Sequence, residues 1–235
     1  MRPLPIFTLT LAMLLWSSSF IALKHVLGIW GFGQVLFMRM SVAALCWLLC
    51  YRYLGNFCYQ KGDWRWLALM GGLEPCLYFL LEVNALRYTS AGQAAMLCAA
   101  TYSVVFKKLS SRYSVLTLTA LQAFVGTLFF APFAVSEPWP TVWAWQDMAV
   151  IVFLGAFVTL GAYLLYNWSV TQVKVTLAAA YVNLIPVFTL LLAYLLLGET
   201  LTSLQWLACG AVLLGIVVGQ LPARRKVRAP VIADS

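Results

Sequence analysis

Eight long apolar stretches occupy most of this 235-residue chain and decide what it can fold into. Only 9% of the residues are charged and 63% are hydrophobic, whereas a soluble domain carries about a quarter charged residues. A helix needs ~20 apolar residues to cross a bilayer, and all but the fourth stretch are close to that length. The sequence therefore predicts an all-α membrane protein, a polytopic bundle of about eight transmembrane helices. The stretches are 4–23, 33–52, 66–87, 91–106, 115–135, 148–168, 175–197 and 204–221.

The basic residues indicate how these helices are oriented. With the N-terminus placed inside, twelve of the fifteen Lys and Arg residues fall in inner segments, and only Lys24 and Arg87 fall in outer ones. Cytoplasmic loops are enriched in Lys and Arg, so both termini are predicted to be cytoplasmic. Because topology explains the net charge of +8, the charge does not indicate a nucleic-acid partner.

Several kinds of chemistry lack the residues that they require. There is a single histidine, His25, and the six cysteines include no CxxC pair, so no metal site is predicted. No GxxxxGK[ST] motif is present, which argues against ATP as the direct energy source. Nothing in the sequence assembles a nucleophile, a base and an orienting group. We therefore expect neither an enzyme nor a bound cofactor.

The chain contains an internal repeat with an offset of 84 positions. At this offset, residues 69–97 align with 153–181 without a gap, and 16–24 align with 100–108. The second copy continues through 185–219, but the first copy has no equivalent continuation. Such repeats are typical of transporters in which two related halves surround the substrate.

Three segments carry a specific resemblance. They are LLWSSSFIALK (14–24), ALRYTSAGQAAM (85–96) and PVFTLLLAYLLLGETLTSLQW (186–206), and the last is the most specific. The chain resembles the EamA-type family of the drug/metabolite transporter superfamily over nearly its whole length. The resemblance implies two five-helix repeats of inverted topology, with the substrate near the membrane midplane between them.

Relative to this family pattern, the chain is shortened from ten spans to eight. It lacks counterparts of the end of the fourth family helix, all of the fifth and the start of the sixth. The fourth stretch is then a join of family helices four and six, which both run from outside to inside. We expect an incomplete inverted repeat, with a truncated first unit over 1–99, a second unit over 100–221 and a basic cytoplasmic tail over 222–235.

Three ionisable residues lie within the predicted spans, where burial of a charge is costly and often functional. Arg39 and Glu82 lie at similar depths from the outer edge and can pair, either as a structural ion pair or in substrate binding or gating. Glu74 lies ~12 Å deeper than Glu82 and has no evident partner at its level. It is a candidate for binding a proton or a cationic ligand, or for bonding backbone groups freed by Pro75.

Other residues in the spans are weaker candidates. Trp16 and the neighbouring serines can line a cavity, although serines equally hold helices together. Pro186 is expected to kink the seventh span. The polar and aromatic candidates for contact with a substrate are Trp16, Ser18, Tyr102, Tyr163 and Asn183.

The resemblance implies a secondary transporter that exports small metabolites, amino-acid-like or drug-like compounds by alternating access. It also implies a multi-pass protein of the bacterial inner membrane, in contact with lipid and a small-molecule substrate. The missing helices leave an alternative open, in which the protein is transport-incompetent or works only with a partner chain, as a homo- or hetero-oligomer.

Overall fold

The computed structural model describes residues 3–54, 59–85, 98 and 101–220, with the side chains of 53, 82–85, 219 and 220 excepted. This described part contains eight helices, α1 to α8, and no strand. Their bounds are α1 Pro3–Val26, α2 Phe32–Leu49, α3 64–85 (Trp64–Gly71, Gly72–Leu77 and Tyr78–Ala85), α4 101–109, α5 Val115–Ser136, α6 Trp145–Gln172, α7 Val175–Leu197 and α8 Ser203–Gln220.

Five of the described helices are long and apolar enough to cross a membrane, judged by length and composition. They are α1, α2, α5, α6 and α7, and α8 contains a shorter apolar helix over Ser203–Val218. These helices lie within a few residues of the predicted stretches. The fourth stretch, 91–106, is described only at residue 98 and from residue 101 onward. The prediction of an all-α, polytopic membrane protein is confirmed.

A shared apolar core holds the helices together. The largest buried cluster of the described residues draws side chains from every helix except α2. Trp16 of α1 packs against this cluster and against two others, so it lies near the point where they meet. α1 itself packs mainly against α6 and α7. The middle of the bundle is therefore organised around the indole ring of Trp16.

Close contacts hold α2 against its neighbours. α2 packs along α5 and against the middle of α6. At Gly155 of α6, a Cβ atom would lie 2.8 Å from the carbonyl oxygen of Arg39 and would also overlap Val42. Small residues permit such approaches in membranes, where lipid provides no hydrophobic force between helices. This contact brings α6 to the turn of α2 that carries Arg39.

The middle of α3 departs from α-helical geometry. Within residues Gly72–Leu77 the helix is broken by a kink at Glu74, between two regular helical segments. Glu74 has an extended backbone with φ −139° and ψ 117°, and Pro75 has no N–H to donate to the preceding turn. The side-chain amide of Gln122 donates a hydrogen bond of 3.1 Å to the carbonyl oxygen of Glu74. A neighbouring helix thus satisfies a backbone group that the break exposes.

Two other helices are irregular. α6 contains a segment of wider, π-type turns, Leu154–Ala162, and the offset of 84 places Gly72–Leu77 on 156–161, inside it. Wide turns of this kind occur frequently at functional sites. α7 is interrupted at Asn183, between Val175–Val182 and Leu184–Leu197. The predicted repeat therefore aligns the kink in α3 with the π-type segment of α6.

Polar contacts close one end of the bundle, where α1 ends and α2 begins. On the predicted orientation this is the outer end. The Glu137 carboxylate accepts hydrogen bonds from the backbone N–H groups of Gly33 (3.1 Å) and Gln34 (3.0 Å), so it caps the N-terminus of α2. Lys24 near the end of α1 forms an ion pair with Glu199 after α7, at 2.7 Å.

A second group of polar contacts closes the opposite, inner end. Asp63 precedes α3 and is 4% exposed. Arg112 Nη1 donates to one of its carboxylate oxygens at 2.6 Å, and the Tyr113 hydroxyl donates to the other at 3.2 Å. Burial of a carboxylate is tolerated when such partners compensate it. These contacts tie the loop before α3 to the loop between α4 and α5.

Candidate functional site

A narrow cavity lies in the middle of the bundle and contains about 510 Å³ of empty space together with its mouth. We call it the central cavity. Its walls come from α1, α2, α3, α4, α6 and α7, and most of the lining side chains are aromatic. The lining residues are Trp16, Ser19, Phe20, Arg39, Glu74, Tyr78, Phe79, Tyr102, Tyr163, Tyr166, Val182 and Ile185.

Glu74 lines this cavity from the break in α3 and is 4% exposed. The hydroxyl of Tyr163 donates a hydrogen bond to its Oε1 oxygen. Tyr163 is the first residue after the wide segment Leu154–Ala162, so irregular segments of two helices bring the pair together. A buried carboxylate is costly unless hydrogen bonds or an opposite charge compensate it, and the tyrosine hydroxyl contributes to that compensation.

Arg39 lines the same cavity from α2 and is 2% exposed. Its Nε donates to the hydroxyl of Thr159 at 2.8 Å, and its guanidinium carbon lies 4.7 Å from the centroid of the Phe79 ring. A cation over an aromatic face gains electrostatic attraction from the ring. The side chain of Glu82 lies outside the described part of the structure, so its pairing with Arg39 stays a prediction.

Aromatic rings pack against one another around the two charged side chains. The Trp16 ring lies 5.2 Å from that of Tyr163 in an edge-on arrangement and 5.1 Å from that of Tyr166. Phe79 approaches Tyr163 edge-on at 6.5 Å. Edge-on and tilted geometries are the favoured ones for aromatic pairs. The cavity therefore presents mainly ring faces and edges, with Val182 and Ile185 of α7 as its aliphatic part.

A hydrogen-bonded network fixes one wall of the central cavity. The Tyr102 hydroxyl lies 3.0 Å from Gln122 Oε1 and 2.7 Å from Asn167 Oδ1. Asn167 Nδ2 donates to the Thr119 hydroxyl at 3.0 Å, and Gln122 also donates to the backbone of Glu74. The network joins α3, α4, α5 and α6. It therefore couples the position of Glu74 to three other helices.

The structure brings together five of the residues to which the sequence pointed. They all line the central cavity, although they come from α1, α2, α3, α4 and α6. A shared location of this kind is what a ligand site requires. These residues are Trp16, Arg39, Glu74, Tyr102 and Tyr163.

Two other candidates for contact with a substrate do not line the cavity. The Ser18 hydroxyl donates to the Leu15 carbonyl of its own helix at 2.7 Å, while Ser19 takes the place in the lining. Asn183 is exposed at the interruption of α7. Pro186, the predicted kink, lies three residues after the interruption of α7 at Asn183, in the first turn of the segment that follows.

Two polar residues that contact the charged residues of the site were not candidates from the sequence. Gln122 interrupts an otherwise apolar stretch of α5, and that isolated amide is a signal that could have found it. Thr159, the partner of Arg39, carries no such signal because threonine is common at helix interfaces in membranes. Partners of this kind become visible only once the helices are packed.

The lining offers binding groups of three kinds. Glu74 provides a carboxylate for a cation, Arg39 provides a guanidinium for an anion, and the rings provide faces for apolar or cationic groups. No group of three His, Cys, Asp or Glu side chains among the described residues could hold a metal ion. The arrangement suits a small amphipathic molecule that carries charge.

Comparison with known families decides what kind of protein this is. The sequence matches the profile of the EamA-like transporter family twice, over residues 3–97 and 94–219. The chain belongs to the EamA-like transporter family. The family resemblance drawn from the sequence is thus confirmed, and membership points to a multi-pass membrane transporter rather than to an enzyme.

Several proteins that are similar to this chain carry the description "uncharacterized transporter". One from Archaeoglobus fulgidus is 31% identical over 102 residues, which cover 43% of this chain and 35% of the relative. One from Bacillus subtilis is 28% identical over 131 residues, or 53% and 39% of the two chains. One from Synechocystis is 29% identical over 193 residues, or 72% and 58%. The chain thus spans between 35% and 58% of the length of these relatives.

Proposed function

We propose that this protein is a secondary transporter that carries small amphipathic zwitterions, such as amino-acid-like compounds, through the central cavity. The observation that carries the proposal is the presence of Glu74 and Arg39 in the lining of one aromatic-walled cavity. Ionisable residues inside a membrane are costly and mark substrate and ion pathways. Here the two charges have opposite sign, which matches a molecule with both an ammonium and a carboxylate group.

Each part of such a substrate has a matching group in the cavity. Its ammonium group binds the Glu74 carboxylate and replaces the Tyr163 hydroxyl at that oxygen. Its carboxylate binds the Arg39 guanidinium, whose paired N–H donors fit a carboxylate. Its apolar body packs on the rings of Trp16 and Tyr166. These three contacts define the proposed substrate class, a small amphipathic zwitterion.

Transport by alternating access requires the two ends of the cavity to open in turn. In the proposed cycle the ion pair Lys24–Glu199 opens at the outer end and the pair Asp63–Arg112 opens at the inner end. The family resemblance favours export. Because a carboxylate holds either a proton or an ammonium partner, Glu74 would exchange an incoming proton for an outgoing substrate.

A second candidate function is transport only in association with another chain. The feature that favours it is the segment 185–219, which continues the second repeat and has no equivalent in the first. A second chain would then supply helices that complete the wall of the central cavity. In this case the isolated chain binds a substrate weakly or not at all.

The test compares small molecules released by cells that express this chain, its Glu74→Gln variant or neither. Mass spectrometry of the medium, at matched abundance of the two proteins in the membrane, gives the readout. We expect at least one zwitterionic compound to be released by cells with the unmodified chain and not by the others. Equal release by cells with the unmodified chain and by cells with Glu74→Gln would mean that transport does not require the Glu74 carboxylate. Release no greater than from empty cells would favour the partner-dependent function.

A further inference from the structure

A groove on the outside of the bundle is larger than the central cavity. It lies between α1, α2 and α7, and its empty space is about 980 Å³ when the open space at its mouth is included. Its walls are apolar apart from Thr189, Lys24 and Glu199. Lys24 and Glu199 form their ion pair at the outer end of the groove. We call this feature the lateral groove.

The length of the lateral groove matches the depth of one leaflet of a bilayer. Along α7 the lining runs from Thr189 to Leu197 and ends at Glu199, just beyond the helix. At ~1.5 Å per residue this is ~15 Å, and the apolar core of a bilayer is ~30 Å thick. The groove therefore extends from the level of the lipid headgroups to the membrane midplane.

The charges at the mouth of the lateral groove are available to a headgroup. The side chains of Lys24 and Glu199 are 68% and 47% exposed, so their mutual contact leaves room for further partners. An ammonium group on Lys24 attracts a phosphate, and a carboxylate on Glu199 accepts hydrogen bonds from a primary ammonium. The pair thus complements a headgroup that carries both charges.

We propose that the lateral groove binds one phospholipid with a zwitterionic headgroup and a primary ammonium, namely a phosphatidylethanolamine. Its phosphate contacts Lys24, its ammonium contacts Glu199, and one acyl chain fills the groove as far as Thr189. Phe20 lines both the lateral groove and the central cavity, so the bound chain packs against a wall of the central cavity. Lipid binding at this site can be measured on the purified protein whether or not the protein transports a substrate.

The headgroup is tested by native mass spectrometry of the purified protein titrated with three lipids. Phosphatidylethanolamine, phosphatidylcholine and phosphatidylglycerol with identical acyl chains are compared. We expect one phosphatidylethanolamine to bind about fivefold more tightly than the other two, as for one exposed ionic contact. Phosphatidylcholine has no N–H to donate to Glu199, and phosphatidylglycerol has no ammonium group.

Two surface variants locate the headgroup. Glu199→Gln is expected to reduce the preference for phosphatidylethanolamine to less than about twofold, because it removes the contact with the ammonium group, whereas Lys24→Gln is expected to weaken the binding of all three lipids, because each carries the phosphate. Lys174→Gln is the matched control, since Lys174 is exposed at the opposite end of α7. A preference that persists in Glu199→Gln, unchanged lipid binding by Lys24→Gln, or equal binding of the three lipids to the unmodified protein overturns the proposal.

A third variant tests the apolar part of the site. Ala193→Trp places an indole in the lateral groove and is expected to weaken all three lipids by about tenfold, the cost of displacing about two methylene groups. Leu128→Trp is its control, because Leu128 is 76% exposed on α5 and lies outside the groove. Undiminished lipid binding by a folded Ala193→Trp protein contradicts the proposal. A dimer that forms without bound lipid also contradicts the proposal, because a second copy of the chain would then cover the lateral groove.

Discussion

Replacement of Glu74 by glutamine isolates the contribution of its charge to ligand binding. Glutamine keeps the size of the side chain and a carbonyl oxygen that can accept the hydrogen bond from Tyr163. A hydrogen bond to a charged group contributes about 1.5–3 kcal/mol, and one between neutral groups about 0.5–1.5 kcal/mol. Since Glu74 is 4% exposed, water and salt screen its charge little. We therefore expect a ligand with an ammonium group to lose about 2 kcal/mol of binding, or about thirtyfold in affinity.

Isothermal titration calorimetry on the purified protein measures this loss with three ligands that share a phenyl ring. L-phenylalanine carries both charges, phenethylamine carries only the ammonium group, and 3-phenylpropionate carries only the carboxylate. Glu74→Gln is expected to weaken the binding of L-phenylalanine and phenethylamine and to leave that of 3-phenylpropionate unchanged. Arg39→Gln is expected to weaken the binding of L-phenylalanine and 3-phenylpropionate. Lys174→Gln, at an exposed charge outside the central cavity, is the control. The reasoning is wrong if L-phenylalanine binds Glu74→Gln within about twofold of the unmodified protein.

Three further predictions concern stability, each measured by thermal unfolding in detergent. Gly155→Val is expected to destabilise by about 1–3 kcal/mol through overpacking against α2, whereas Gly215→Ala, which meets no atom within 4 Å, is expected to be neutral or stabilising. A similar melting temperature for the two variants would contradict the close contact. Glu137→Gln is expected to cost about 0.5–2 kcal/mol by removing the charged cap of α2, and an unchanged melting temperature would exclude that role. Tyr163→Phe is expected to cost about 1–3 kcal/mol because the buried Glu74 loses a donor. Its combination with Glu74→Gln should cost less than the sum, and strict additivity would argue against the hydrogen bond.

The helices could be predicted from the sequence because hydrophobic length is a local property. The predicted stretch 115–135 and the helix Val115–Ser136 agree closely. The stretch 148–168 is too short at both ends, because α6 extends over Trp145–Gln172. Its first turn contains Asp147, which is buried and accepts a hydrogen bond from the Trp30 indole at 3.2 Å. A prediction from hydrophobicity leaves a charged residue such as Asp147 outside the helix. The helix includes Asp147 because a distant residue, Trp30, donates a hydrogen bond to its carboxylate.

The partners within the site could not be predicted, because they depend on packing between distant parts of the chain. The sequence identified Glu74 as a buried carboxylate, but its partner Tyr163 lies 89 positions away. Arg39 and Thr159 are separated by 120 positions. Ser18 and Ser19 differ by one position, yet one residue turns the side chain by ~100° around a helix, so only Ser19 faces the cavity. The domain boundaries drawn from the repeat stay a prediction.

The wide turns of α6 determine the direction in which the residues after them point around the helix axis. A π-type segment contains more residues per turn than an α-helix, so its conversion to regular α-turns would rotate the residues that follow it around the helix axis. Tyr163 is the first of those residues. A rotation of one residue, ~100°, would carry its hydroxyl away from Glu74 while the axis of α6 stayed in place. The wide turns of α6 therefore set the orientation in which the Tyr163 hydroxyl reaches the Glu74 carboxylate.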